Sequence, residues 1–183
     1  MSKPKIPEPA KLFLSIIYSD PSAAEGCVVK ITSCFGPVDY STRELDFNLT
    51  GYYAAEMGEP LQRRFFTFRD LMDPGRLAEI KLFTNSLEEE FAIEGKRRIN
   101  LDPGFLSMNN LVLASGKAVG HRPYLGQGIY ADLTLVFESG SFRGLPWTYQ
   151  DYASPEIITF LNRIRESYKA DLREWRANLS NSR

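Results

Sequence analysis

Cysteine is scarce in this sequence: Cys27 and Cys34 are the only two in 183 residues. If both sit on one helix, their spacing puts them roughly 10 Å apart, too far for a disulfide. Neither has a CxxC neighbour, so no thiol-based zinc or redox motif is present. Both read as buried thiols. Long apolar runs are missing as well. The longest early one, "LFLSIIY" at 12–18, is too short to span a membrane, and Asp20 stands where a secretory cleavage site wants small residues. These absences predict a cytoplasmic protein with no membrane partner. Charge of one sign is lacking too. The 22 basic residues against 23 acidic ones leave a net charge of -1, which argues against nucleic acid as a partner except at a local patch. No HExxH, GxSxG, Walker or zinc-spaced motif occurs. The closest approach, "ASGKA" at 114–118, lacks the first glycine of a P-loop, and Ala118 follows Lys117 where Ser or Thr is needed.

What is abundant is core material. The chain is 43% hydrophobic, with 12 Phe and 9 Tyr, enough for one packed domain and against a disordered chain. Residues 1–10, with Pro4, Pro7 and Pro9, read as an extended leader. Residues 11–18 are apolar on both faces, as a central strand is. Asp20-Pro21 opens a helix with stripe Ala24, Cys27, Val28, Ile31 and Phe35, stopped by Gly36-Pro37. Residues 40–49 alternate as a half-exposed strand, and 62–69 form another. Asp73-Pro74 begins a second helix with stripe Leu77, Ile80, Phe83, Leu87 and Phe91. Residues 96–101 read as a fourth strand and 104–115 as a short helix. Residues 129–138 and 142–145 pair as a hairpin, and Ser154-Pro155 starts a last helix. The predicted fold is α+β: one domain over 11–176, a ferredoxin-like βαββαβ core extended by a β-hairpin and a C-terminal helix, with 177–183 as a flexible tail.

The stretch "GKRRINLDPGFL" at 95–106 concentrates polar chemistry. Asp102-Pro103 repeats the acid-Pro pattern of the helix starts, so its carboxylate reads first as a cap. A strand end beside a turn is also where a catalytic carboxylate or amide is commonly held. Strand alternation places Lys96 and Arg98 on one face and Arg97 on the other. With Arg63 and Arg64 these cations suit a phosphate or carboxylate, or else serve as solvated edge charge. Lys81, Asn85 and Glu88 share one helix face, either exposed or set to orient a polar ligand. The stretch 114–135 holds the only histidine, His121, beside Arg122, then Tyr130 and Asp132 on one strand face. A lone histidine serves as a general base or phosphate donor, or is simply hydrogen-bonded surface. The "YY" at 52–53 and "LPWTYQDY" at 145–152 are aromatic loops that stack on a planar ligand or cover a sheet edge. The acids available to a divalent cation such as Mg²⁺ are Asp46, Glu56, Asp102 and Asp132, and spacing brings no two of them together.

The strings "EIKLFTNSLEEEF", "GKRRINLDPGFL", "HRPYLGQGIYADLTL" and "LPWTYQDY", with "KLFLSIIYSD" near the start, resemble a family of small bacterial proteins of unknown function. Some members carry the label GTP-binding protein, although this chain has no P-loop and no guanine-reading Asn-Lys-x-Asp. The resemblance implies a single-domain bacterial protein and carries over no catalytic residues. Two functions are then open. In the first, a small phosphorylated or nucleotide-like ligand is held by Arg63, Lys96, Arg98, Asn100, Arg122 and Tyr130, with Asp102 or Asp132 holding a metal or acting as base and His121 donating or accepting a proton. In the second, the chain is a non-catalytic interaction or scaffold module.

Overall fold

The computed structural model describes residue 1, residues 3–48 and residues 51–181. Its centre is strand β1, Ala10–Tyr18, buried at every position. Alternate residues enter different cores. Leu12, Leu14, Ile16 and Tyr18 pack against helices on one face; Phe13 packs against a long helix on the other. A strand covered on both faces has no use for polar alternation, which is why β1 reads as a nearly continuous apolar run.

Helix α1, Pro21–Phe35, starts where Asp20 accepts hydrogen bonds from the Ser22 and Ala23 amides at 3.0 and 3.2 Å. It ends at Gly36, whose φ of 87° is a conformation glycine adopts without strain. The predicted strand over 40–49 is instead two short ones, β2 (Val38–Ser41) and β3 (Leu45–Asp46), both paired to β4 (Gln62–Met72). Leu49 lies outside the described residues. A four-residue helix, α2 (Ala54–Met57), lies between β3 and β4. Asp73 caps a short 3₁₀ turn that leads into α3, Leu77–Glu90. Cys27 is buried in α1, and burial pushes its thiol up to about 12. Cys34 is exposed, correcting the expectation that both thiols are buried.

The stretch 96–115 departs most from its sequence reading. Residues 99–115 hold no helix: β5 spans Ile99–Leu106 and β6 spans Asn110–Ser115. Asp102 and Pro103 sit inside β5, so the acid-Pro pair is not a helix start here. Proline is tolerated because β5 is an edge at this point. Its pairing with β6 covers only Gly104–Leu106, while β1 pairs along its whole length. Upstream, Glu94 and Gly95 both have positive φ, 53° and 73°, and Ile93 and Lys96 bond reciprocally across them. This two-residue turn, with positive φ at both central residues, moves the strand start from 96 to 99.

Beyond β6 the sheet continues through β7 (Tyr124–Gly126), β8 (Ile129–Glu138) and β9 (Ser141–Gly144). The result is one nine-stranded antiparallel sheet in the order β2-β4-β1-β5-β6-β8-β7, with β3 on β4 and β9 on β8. Helix α4, Pro155–Asn181, closes the face opposite α1 and α3. Its buried stripe is Ile157, Leu161, Ile164, Tyr168 and Leu172, each worth about 1.5–3 kcal/mol of burial. Among the described residues no helix is long and apolar enough to cross a membrane. The N-terminal segment lies along α4: Tyr168 donates to the Pro9 carbonyl at 2.8 Å, and Arg176 pairs with Glu8 at 2.6 Å.

Candidate functional site in the split between two strands

Because β6 leaves β5 after Gly104, the Leu101 backbone faces no neighbouring strand. Side chains of α3 take that place. The Leu101 amide donates to Glu88 Oε1 at 2.7 Å, and Lys81 Nζ donates to the Leu101 carbonyl at 2.6 Å. Both side chains are buried. They belong to a second, polar stripe on α3 beside the apolar one, because an unpaired strand edge away from water needs side-chain donors and acceptors.

The gap is a cavity of about 750 Å³. Register explains which residues reach it. Arg63 of β4, Ile17 of β1 and Asn100 of β5 stand in one row across the sheet, and Ser15 stands opposite Asp102. All point to the α4 face, at the end that α4 leaves uncovered. On the far side of the split, Asp132 of β8 stands opposite Leu113 of β6.

Five cations line the cavity, namely Arg63, Lys81, Arg97, Lys117 and Arg122, with four carboxylates, Glu88, Asp102, Asp132 and Asp151. Most are engaged. Arg63 donates to Ser15 at 2.9 Å, pairs with Asp151 and lies between the Phe47, Phe65 and Tyr152 rings. Arg97 grips Glu56 with two bonds of 2.8 and 2.7 Å and reaches Asn100 at 2.9 Å. Arg122 pairs with Asp132 at 2.7 Å and donates to Ser115 at 2.8 Å. Its Nε is buried without a partner. The bond to Arg97 holds the Glu56 carboxyl below its ordinary range. Burial pushes Glu88 up, against the pull of Lys81 and the Leu101 amide. Burial also raises the Tyr53 and Tyr152 phenols, so both are neutral donors at physiological pH. The Tyr152 hydroxyl is buried and unbonded; Ser15 lies close enough to influence it, but not in the geometry of a hydrogen bond.

The structure thus brings Arg63, Asn100, Asp102, Arg122 and Asp132 to one cavity. His121 stands just behind, with Nε2 at 3.7 Å from Asp132 and its ring stacked on Trp147 at 4.7 Å. Three candidates lie elsewhere. The Glu94-Gly95 turn leaves Lys96 exposed and aims Arg97 into the site in place of Lys96 and Arg98, with Arg98 half-buried outside the lining. Tyr130 packs on Tyr124 at 5.2 Å and does not line the cavity. Of the acids weighed for a cation, Asp46 accepts from Gln62 at 3.0 Å and Glu56 is held by Arg97. Among the described residues no three His, Cys, Asp or Glu side chains gather as a metal site requires.

Residues missed in the sequence include Arg97, Asp151 and Ser15. Ser15 and Asp151 carry no local signal, since an apolar strand and an aromatic loop hide them. Arg97 was readable from the Glu-Gly turn, which shifts strand parity. A family model described as a domain of unknown function (DUF4416) matches residues 8–168. No curated protein matches the chain, and no solved structure does.

Proposed function

The chain belongs to the domain-of-unknown-function family DUF4416, and we propose that it binds or acts on a small phosphorylated or nucleotide-like ligand in the cavity between β5 and β6. The observation that carries this reading is the cavity's lining: five cations and four carboxylates around about 750 Å³, room enough for a ligand of that size. Buried charges are costly, and a fold that needed only stability would fill this gap with apolar side chains. Guanidinium groups suit phosphate oxygens, and the exposed ring of Tyr149 in the lining suits a planar group. Asp102 and Asp132, with His121 behind, are the groups placed to move a proton or steady a ligand-borne Mg²⁺. The GTP-binding label of the resembled family is one version of this reading, reached without a P-loop.

We read the order β2-β4-β1-β5 with α1 and α3 as a ferredoxin-like core, elaborated by β6–β9 and α4, in a cytoplasmic bacterial protein. A thermal-shift screen of nucleotides and sugar phosphates, with and without Mg²⁺, tests the ligand. A ligand at 100 times its Kd stabilises the fold by about 2.7 kcal/mol, a shift of several degrees. No shift with any anion at millimolar concentration contradicts the reading. A second reading, an interaction module, is favoured by exposed Val119, Tyr124 and Leu125 around the β7 edge. Light scattering distinguishes it: a stable complex or self-association supports the module, and a strict monomer opposes it.

A further inference from the structure

The charges around the cavity are unequally satisfied, and the inequality has a direction. Asp151 is paired with Arg63, and Asp132 with Arg122. Glu88 holds the Leu101 amide and lies 3.3 Å from Arg97. Asp102 is different. Its Oδ2 accepts from Asn100 at 3.0 Å, while its Oδ1 stands 3.9 Å from Lys81, beyond hydrogen-bond reach. Lys81 spends its short bond on the Leu101 carbonyl. A carboxylate accepts about four hydrogen bonds, so Asp102 keeps most of its capacity. Its side chain is 28% exposed although its strand neighbours Leu101 and Pro103 are buried, and it lines the cavity.

Across the split, Lys117 is the lining cation with no carboxylate partner among the described residues. It is exposed, lies over the Tyr52 ring at 4.6 Å and donates to its hydroxyl at 3.3 Å, a pose that leaves it free to take an anion. The Tyr152 hydroxyl, on a residue only 1% exposed, also belongs to the lining and makes no hydrogen bond. The cavity therefore offers one carboxylate with spare acceptor capacity on β5 and one cation without a carboxylate partner just past β6.

We propose that the ligand is dipolar: a phosphorylated small molecule that also carries an amine or amino group, with the phosphate at Lys117 and the amino group at Asp102. This rests on the reading that the cavity takes a phosphorylated ligand, and it adds which ones. An anion without a donor leaves the spare acceptor positions of Asp102 unused and is repelled by its charge. A donor at that point gains a charge-assisted hydrogen bond. Discrimination comes from both effects.

Calorimetric titration of matched pairs tests this on the wild type, Asp102→Asn and Lys117→Gln. The probes are glucosamine 6-phosphate against glucose 6-phosphate, adenosine 5′-monophosphate against purine riboside 5′-monophosphate, and inorganic phosphate alone. In the wild type, the amino member of at least one pair binds about tenfold or more tightly than its partner. Asp102→Asn narrows that preference from both sides: the amino member binds more weakly and the other member binds more tightly, because the repulsion is gone. Lys117→Gln weakens both members alike. Equal binding of both members of each pair by the wild type overturns the dipolar assignment while leaving a phosphate site in place. Binding of none of the five probes removes the phosphate site as well. Should Asp102→Asn fail to fold, the wild-type comparison alone decides.

Discussion

Replacing Glu88 by alanine costs the protein about 3–5 kcal/mol, because one carboxylate serves a strand edge and two cations at once. Its Oε1 is the acceptor for the Leu101 amide, and the same carboxylate faces Lys81 at 3.8 Å and Arg97 at 3.3 Å. Removing it leaves a buried N–H without an acceptor and two cations short of a counter-charge. Urea unfolding measures the loss; less than about 1 kcal/mol would mean the strand edge is satisfied in another way. Glu88→Gln separates shape from charge. Burial raises the Glu88 carboxyl from its ordinary 4.5. A carboxyl raised on folding contributes its full stabilisation below the unfolded value, and that contribution is lost as pH rises through the folded value. Glutamine does not titrate. The variant's stability therefore falls less than the wild type's between pH 4.5 and neutrality, and parallel profiles would contradict the buried-acid assignment.

Gly104→Val is the second large effect. Gly104 is the β5 residue at which pairing with β6 ends before the two diverge. A Cβ there would stand 2.5 Å from the Val112 carbonyl oxygen and 2.6 Å from Leu113 Cδ2. The carbonyl is main chain and cannot rotate away, so β6 itself must move. Overpacking of this kind costs about 3 kcal/mol. Because β6 forms one wall of the cavity, the variant also loses ligand-induced stabilisation even where it remains folded. An unchanged urea midpoint would show that the strands have slack at the crossing.

The parts legible in the sequence are those governed by local rules. Asp20-Pro21 and Asp73-Pro74 mark helical starts because capping needs only a side chain and the next turn. The apolar run of β1 announces a strand covered on both faces. Asp102-Pro103 looks the same as those caps and is not one, since only the departure of β6 makes a proline acceptable in β5. Lys81 and Glu88 were visible as one helix face, but their burial depends on a strand edge that no local pattern reveals. Arg63, Asn100 and Asp102 meet through register across β4, β1 and β5, a long-range property. The exchange of Lys96 and Arg98 for Arg97 follows from the turn at Glu94-Gly95.

Mapping ligand-induced chemical shifts on the backbone amides tests the central claim most directly. With a phosphorylated amino compound as probe, the perturbed amides should cluster on residues 99–102, 113–118 and 149–153, the two banks of the split and the loop over it. Saturable shifts confined to another surface, or none at millimolar probe, would contradict a binding site between β5 and β6.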